Sequence, residues 1–137
     1  MNIEKVLYTA KTHTIGGREG SAKSSDEKLD ILLTPPGLNG KGTNPEQLFA
    51  AGWSACYIGA LGLAAKKSGI VFPKDTYVDA EVDLGMTGEA YLLQARLFVH
   101  LPGIGKDTAE QLIELAHQTC PYSKATRGNI NISTIII

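Results

Sequence analysis

The chain has 137 residues, of which 43% are apolar and 20% charged, the length and composition of one ordinary globular domain. A formal net charge of −1 excludes a broad electrostatic pull toward nucleic acid or anionic lipid, and no basic run is interleaved with aromatics. The start, MNIEKVLYTA, lacks the apolar core of a secretory leader, so a cytoplasmic location is expected. There, two cysteines are not expected to form a permanent staple; they are either inert buried thiols or a redox pair.

Residues 4–14 are β-forming with partial alternation and predict a first strand. IGGREG follows as a turn, because glycine reaches positive φ without steric cost. Extended segments are predicted again at about 21–24 and, after the polar SSDEK, at 29–34. PPGLNGKGT holds two prolines and three glycines and predicts a loop.

A helix is predicted from Asn44 to Gly69. Asn44 or Thr43 can cap it, Pro45 suits its first turn, Glu46 complements the dipole there, and Gly69 ends it. About 24 residues make a rod of roughly 36 Å. The run from Leu48 to Ala65 has no charge and contains three glycines. A membrane span needs about 20 mostly apolar residues. This run is slightly short, rich in small residues and followed at once by Lys66 and Lys67, and reads as a core helix with no membrane partner.

TYVDAEVDL alternates strictly, with Val78, Ala80, Val82 and Leu84 on one face. GMTG reads as a hairpin turn. EAYLLQARLFVHL reads as the returning strand, with Tyr91, Leu93, Ala95, Leu97 and Val99 on one face. Asp107 and Glu110 can form a capping box for a helix to about Thr119, with Leu112, Ile113, Leu115 and Ala116 facing inward. Pro121 breaks it, and INISTIII closes as a strand. The reading is one domain over residues 1–137, of α+β class, with mostly antiparallel sheet.

A body of this size has a radius of gyration near 14 Å, so a rod of roughly 36 Å crosses it. The rod is apolar or small all round and must be covered all round. One chain's sheets cover one side; a second copy is the simplest cover for the other. Gly52, Ala55, Gly59 and Gly62 allow close approach, and a homodimer centred on this helix is expected.

Phe49, Trp53, Cys56, Ala60 and Leu63 are spaced as one stripe. They form either plain core or an aromatic-lined pocket around a thiol. Apolar burial raises a thiol pKa, and the middle of a helix offers little dipole help, so an active Cys56 needs a nearby cation. Cys120 follows the second helix, where the dipole disfavours a thiolate. It is the poorer first nucleophile but could attack an oxidised Cys56. His117 and Cys120 have helical spacing, yet no paired-ligand motif supports a metal site, and no phosphate-loop pattern is present.

Three stretches, GGREG, GTNPEQLFAAGWSAC and HQTCPYSKATRGNI, together resemble the organic hydroperoxide resistance (Ohr) proteins of the Ohr/OsmC family. The resemblance covers nearly the whole chain, with its motifs in order. It implies antiparallel sheets wrapped around a long central helix in an intertwined homodimer. It also implies a thiol peroxidase that reduces organic hydroperoxides, fatty-acid hydroperoxides included, with no metal, flavin or other cofactor. Lipoylated protein or dihydrolipoamide is the implied reductant. Carried over by motif, Cys56 is the peroxidatic cysteine, Cys120 the resolving one, Arg18 of GGREG the activating cation and Glu46 of NPEQ its carboxylate partner. Phe49, Trp53 and Tyr57 are the candidate substrate-lining aromatics. Glu46 lies ten residues before Cys56, about 15 Å along a straight helix, so an Arg18–Glu46 pair beside Cys56 is expected to use Glu46 of the second copy. Two other readings remain: a non-catalytic binder of apolar ligands, and a thiol redox sensor without turnover.

Overall fold

The first strand is shorter than its sequence pattern suggests. In the computed structural model, which describes residues 2–137, regular pairing begins only at β1, Thr12–Ile15. Val6, Leu7 and Tyr8 before it are exposed, so their β propensity has no packing to act through. A 3-10 turn, Gly17–Glu19, carries Arg18 and leads into β2, Ser21–Ser24, then β3, Asp30–Leu32. β2 lies between the other two, antiparallel to both, with Thr12 opposite Ser24 and Ser21 opposite Leu32. The IGGREG turn depends on its glycines in two ways. Gly16 and Gly17 take positive φ, 74° and 57°. Gly20 does not, but a Cβ there would stand 1.7 Å from the Ile15 carbonyl oxygen. These elements belong to one compact unit, Met1–Pro45; the remainder, Glu46–Ile137, forms a second.

The long helix is α1, Pro45–Lys67. It stops as its sequence requires. Gly69 takes φ 68°, its N–H reaches the Lys66 carbonyl, and the Ile70 N–H reaches the Ala65 carbonyl, the double closure of a Schellman motif. Trp53, Tyr57, Ala60, Leu61, Ala64 and Ala65 are buried along one face. Ala51, Ala55 and Gly59 are exposed on the other, as is Leu63, which was expected on the inner stripe. Among the described residues α1 alone is long and apolar enough to cross a membrane. Its inner face is instead packed into a core with the second sheet and α2.

That sheet begins with β4, Tyr77–Thr87, and β5, Ala90–His100, paired over their full length from Tyr77 opposite His100 to Thr87 opposite Ala90. β4 runs three residues further than GMTG suggested, to Thr87, and β5 starts one residue later, at Ala90; the loop is only Gly88 and Glu89, with Gly88 at φ 58°, the glycine-first pattern of a tight hairpin. Arg96 holds the solvent side: Nη1 and Nη2 donate to Asp83 at 2.7 and 2.8 Å, and Nε donates to Glu81 at 2.6 Å. Ala95, Leu97 and Val99 face the core, whereas Tyr91, at the hairpin end of the same face, is exposed.

After β5 comes α2, Lys106–Thr119. Its N-cap is Gly105 without a side-chain cap, so Asp107 sits inside the first turn and the expected capping box does not form; Asp107 serves the dipole there. Ala109, Leu112 and Ala116 are buried, but Leu115 is 38% exposed, outside a stripe that runs at three- and four-residue steps. A short helix, α3, Pro121–Thr126, was not anticipated. It leads to β6, Asn131–Ile136, which pairs parallel to β5, Gln94 opposite Asn131. The two helices form the crossover that a parallel neighbour requires. The class is α+β with mostly antiparallel strands and a core helix, as read from the sequence.

Candidate active site

One proline shapes the site. Pro121 lacks an N–H and presets φ, so it ends α2 and opens α3. The residue before a proline is pushed toward extended backbone, and Cys120 has φ −64° and ψ 123°, capping α2 and α3 at once. This junction points a fully buried Cys120 sulfur at α1. Cys120 Sγ donates to Cys56 Sγ across 3.6 Å, and both thiols are free. Two residues 64 apart in sequence are thus brought together within the second unit.

Cys56 is half-buried. Burial pushes its thiol pKa up, the neighbouring Cys120 pushes the same way, and the Tyr122 backbone N–H pulls it back down. An active Cys56 therefore needs a nearby cation, because desolvation opposes the thiolate.

Phe49 and Trp53 precede Cys56 on α1, their rings 5.5 Å apart and edge-on. Tyr122 completes the group, 6.1 Å from Phe49. Its phenol oxygen lies 2.8 Å from the place a Gly52 Cβ would occupy, so the absent side chain of Gly52 makes room for it. Sequence reasoning passed over Tyr122; its position two residues after Cys120, in CPYS, was the available signal. Tyr57 lies elsewhere. It is fully buried, its hydroxyl donates to the Ile113 carbonyl at 3.0 Å, and its ring lies 4.6 Å from that of His117. It faces α2.

His117 is not a thiol-side ligand. Nδ1 meets Ser123 Oγ at 2.9 Å and Nε2 meets Thr134 Oγ1 at 2.7 Å, so both nitrogens are engaged. Burial lowers its pKa. Trp53 Nε1 donates to the same Ser123 Oγ at 3.3 Å, and Arg127 Nη2 donates to the His117 carbonyl at 2.7 Å. Among the described residues no three His, Cys, Asp or Glu side chains gather as a metal cage. Arg18 is on the 3-10 turn of the first unit; Glu46 is in the first turn of α1.

The fold that holds these two thiols is similar to those of known proteins. The OsmC-like protein family model matches residues 38–135. The organic hydroperoxide resistance protein of Xanthomonas axonopodis pv. citri is 46% identical over 134 residues, covering 95% of this chain and 94% of that protein. The crystal structure of the organic hydroperoxide resistance protein OhrB of Bacillus subtilis superposes with a TM-score of 0.91 at 37% identity, covering 96% of this chain and all of that one. An organic hydroperoxide resistance protein from Elizabethkingia anophelis, crystallised with thiocyanate bound, gives 0.88 at 41% identity, covering 96% and 97%. The chain belongs to the Ohr/OsmC family.

Proposed function

We propose that this chain is a cysteine-based peroxidase that reduces organic hydroperoxides, fatty-acid hydroperoxides among them, to alcohols. The observation that carries this reading is the pair of free thiols 3.6 Å apart, one half-buried and one fully buried. Its relatives carry the name organic hydroperoxide resistance protein, which agrees with it.

The Cys56 thiolate attacks the terminal peroxide oxygen and the O–O bond breaks. The alkoxide leaves and is protonated to the alcohol, and Cys56 becomes a sulfenic acid. Cys120 condenses with it, forming a disulfide and releasing water. A lipoyl dithiol, free or on a lipoylated protein, then attacks Cys120 and expels the Cys56 thiolate, and its second thiol displaces Cys120 from the mixed disulfide, which frees both cysteines and leaves the lipoyl disulfide. Arg18 is assigned as the cation that offsets the burial of Cys56, and Glu46 as the carboxylate that orients it. An unperturbed thiol is already a few per cent ionised at pH 7. Full ionisation gains only about 30-fold, or roughly 2 kcal/mol. Most of the contribution of Arg18 therefore lies in aligning the peroxide and stabilising the leaving oxygen. Phe49 and Trp53, with Tyr122, line the slot for the alkyl group, where each buried methylene contributes about 0.8 kcal/mol; Tyr57 backs it from the core.

The exposed face of α1, Ala51, Ala55, Gly59 and Leu63, is assigned to a second copy in a cytoplasmic homodimer, which brings the partner's Glu46 toward each Cys56. Sedimentation of a folded monomer at micromolar concentration would refute that assembly. The function is tested by cumene hydroperoxide consumption with dihydrolipoamide. Wild type turns over, Cys56→Ser does not react, and Cys120→Ser stops at the sulfenic acid. Consumption that survives Cys56→Ser overturns the reading, and turnover-free oxidation of the wild type points to a redox sensor.

A further inference from the structure

The hydroxyl of Ser123 has one hydrogen and two lone pairs. It is 4% exposed and has two polar neighbours. Trp53 Nε1–H can only donate, so Ser123 Oγ accepts from it. The hydroxyl hydrogen is then available for His117 Nδ1 at 2.9 Å. That leaves the imidazole hydrogen on Nε2, where it donates to Thr134 Oγ1 at 2.7 Å. This arrangement, the neutral Nε2–H tautomer of His117, gives the Trp53, Ser123 and imidazole hydrogens an acceptor each. The Tyr57 ring lies against the imidazole at 4.6 Å. Arg127 straps the two short ends together. Its Nη2 donates to the His117 carbonyl, and its backbone N–H donates to the Ser123 carbonyl at 3.0 Å.

The relay joins four elements: Trp53 on α1, Ser123 on α3, His117 on α2 and Thr134 on β6. Ser123 is three residues beyond Cys120, and Trp53 is three residues before Cys56. The two thiols are therefore anchored to each other by the hydrogen bond between Trp53 and Ser123, one helical turn away on each side. The sulfurs must close from 3.6 Å to about 2.05 Å to bond. Side-chain rotation can supply this only if the start of α3 keeps its place against α1.

We propose that the Trp53–Ser123–His117–Thr134 relay is a positioning device for Cys120 that lets disulfide formation outrun a second oxidation of Cys56. The proposal rests on the peroxidase reading above. Two reactions compete for the sulfenic acid. In one, Cys56–SOH and Cys120–SH give the disulfide and water. In the other, Cys56–SOH and a second hydroperoxide, ROOH, give the sulfinic acid Cys56–SO2H and the alcohol ROH. The relay acts on the first through the placement of Cys120, and the variants that test it leave Trp53 in place.

The test measures the sulfinic fraction per turnover by intact mass, across a range of cumene hydroperoxide concentrations, in the full-length protein. Ser123→Ala removes the hub and is expected to raise that fraction roughly fivefold, about 1 kcal/mol in the partition. Thr134→Val keeps the shape but deletes the acceptor for Nε2–H; it is expected to raise the fraction about twofold, the equivalent of ~0.4 kcal/mol. Thr134→Ser restores the hydroxyl and the wild-type fraction. The rate of the first oxidation of Cys56 stays within about twofold in Thr134→Val, which separates alignment of Cys120 from general loosening. A wild-type sulfinic fraction in folded Ser123→Ala overturns the proposal. If that variant does not fold, the same result in Thr134→Val overturns it. A wild type that consumes no hydroperoxide refutes the peroxidase reading instead.

Discussion

Tyr57 gives the sharpest test of how the residues around Cys56 divide between core and site. Replacing Tyr57 by Phe removes one hydroxyl and leaves the ring. In the structure that hydroxyl donates to the Ile113 carbonyl at 3.0 Å, inside α2, where the same carbonyl also serves the helix ladder. The acceptor is therefore not orphaned, and the cost is that of one net hydrogen bond, about 0.5–1.5 kcal/mol. No cavity term is added, in contrast to about 3–5 kcal/mol for truncating an aromatic to Ala. For a domain of this size 1 kcal/mol corresponds to roughly 3–5 °C in Tm, so Tyr57→Phe should lower Tm by about 2–7 °C. Peroxidase activity should stay within about twofold, because the hydroxyl points to α2 and touches no reacting atom. Thermal unfolding by circular dichroism and cumene hydroperoxide consumption measure the two effects. An unchanged Tm would refute the hydrogen bond. A collapse of activity with little loss of Tm would return Tyr57 to the substrate slot.

Three further outcomes are expected. Gly20→Ala places a Cβ against the Ile15 carbonyl at 1.7 Å, so the turn carrying Arg18 must rearrange; peroxidase activity should fall far more than global stability, and equal activity would refute the steric argument. His117 has its pKa lowered from the usual 6.5 by burial. The unfolded chain therefore binds its proton first, and stability present above pH 6.5 is lost as pH falls through the folded pKa. Urea midpoints at pH 7.5 and 5.5 should differ less in His117→Gln than in wild type. Arg18→Lys keeps the charge and loses the fork; activity should fall steeply while the pH dependence of Cys56 alkylation moves less, and near-normal rates would refute that division of roles.

The sequence was legible where local chemistry and tertiary packing agree. Pro45 and Gly69 bracket α1 because both act through the backbone, and the alternation from Val78 to Val82 reports a sheet with one covered face. It was less legible where a signal has two meanings. Pro121 was read as the end of a helix, but the same fixed φ and missing N–H also start one, and α3 went unseen. Leu63 and Leu115 look like core by type, but only their angular position decides which side they face. Residues 4–11 have strand composition without a strand. At the site, Cys56 and Cys120 could be named from their motifs, whereas the Ser123–His117–Thr134 relay could not, because it joins three elements whose contact exists only after folding.

The position of Cys56 and Cys120 has a thermodynamic consequence. A bond between residues 64 apart would cross-link almost half the chain and deprive the denatured ensemble of loop freedom, about 4 kcal/mol in the chain-entropy account. Resistance to denaturation would then rise on oxidation and relax on reduction. Melting behaviour alone would reveal which redox form fills a sample.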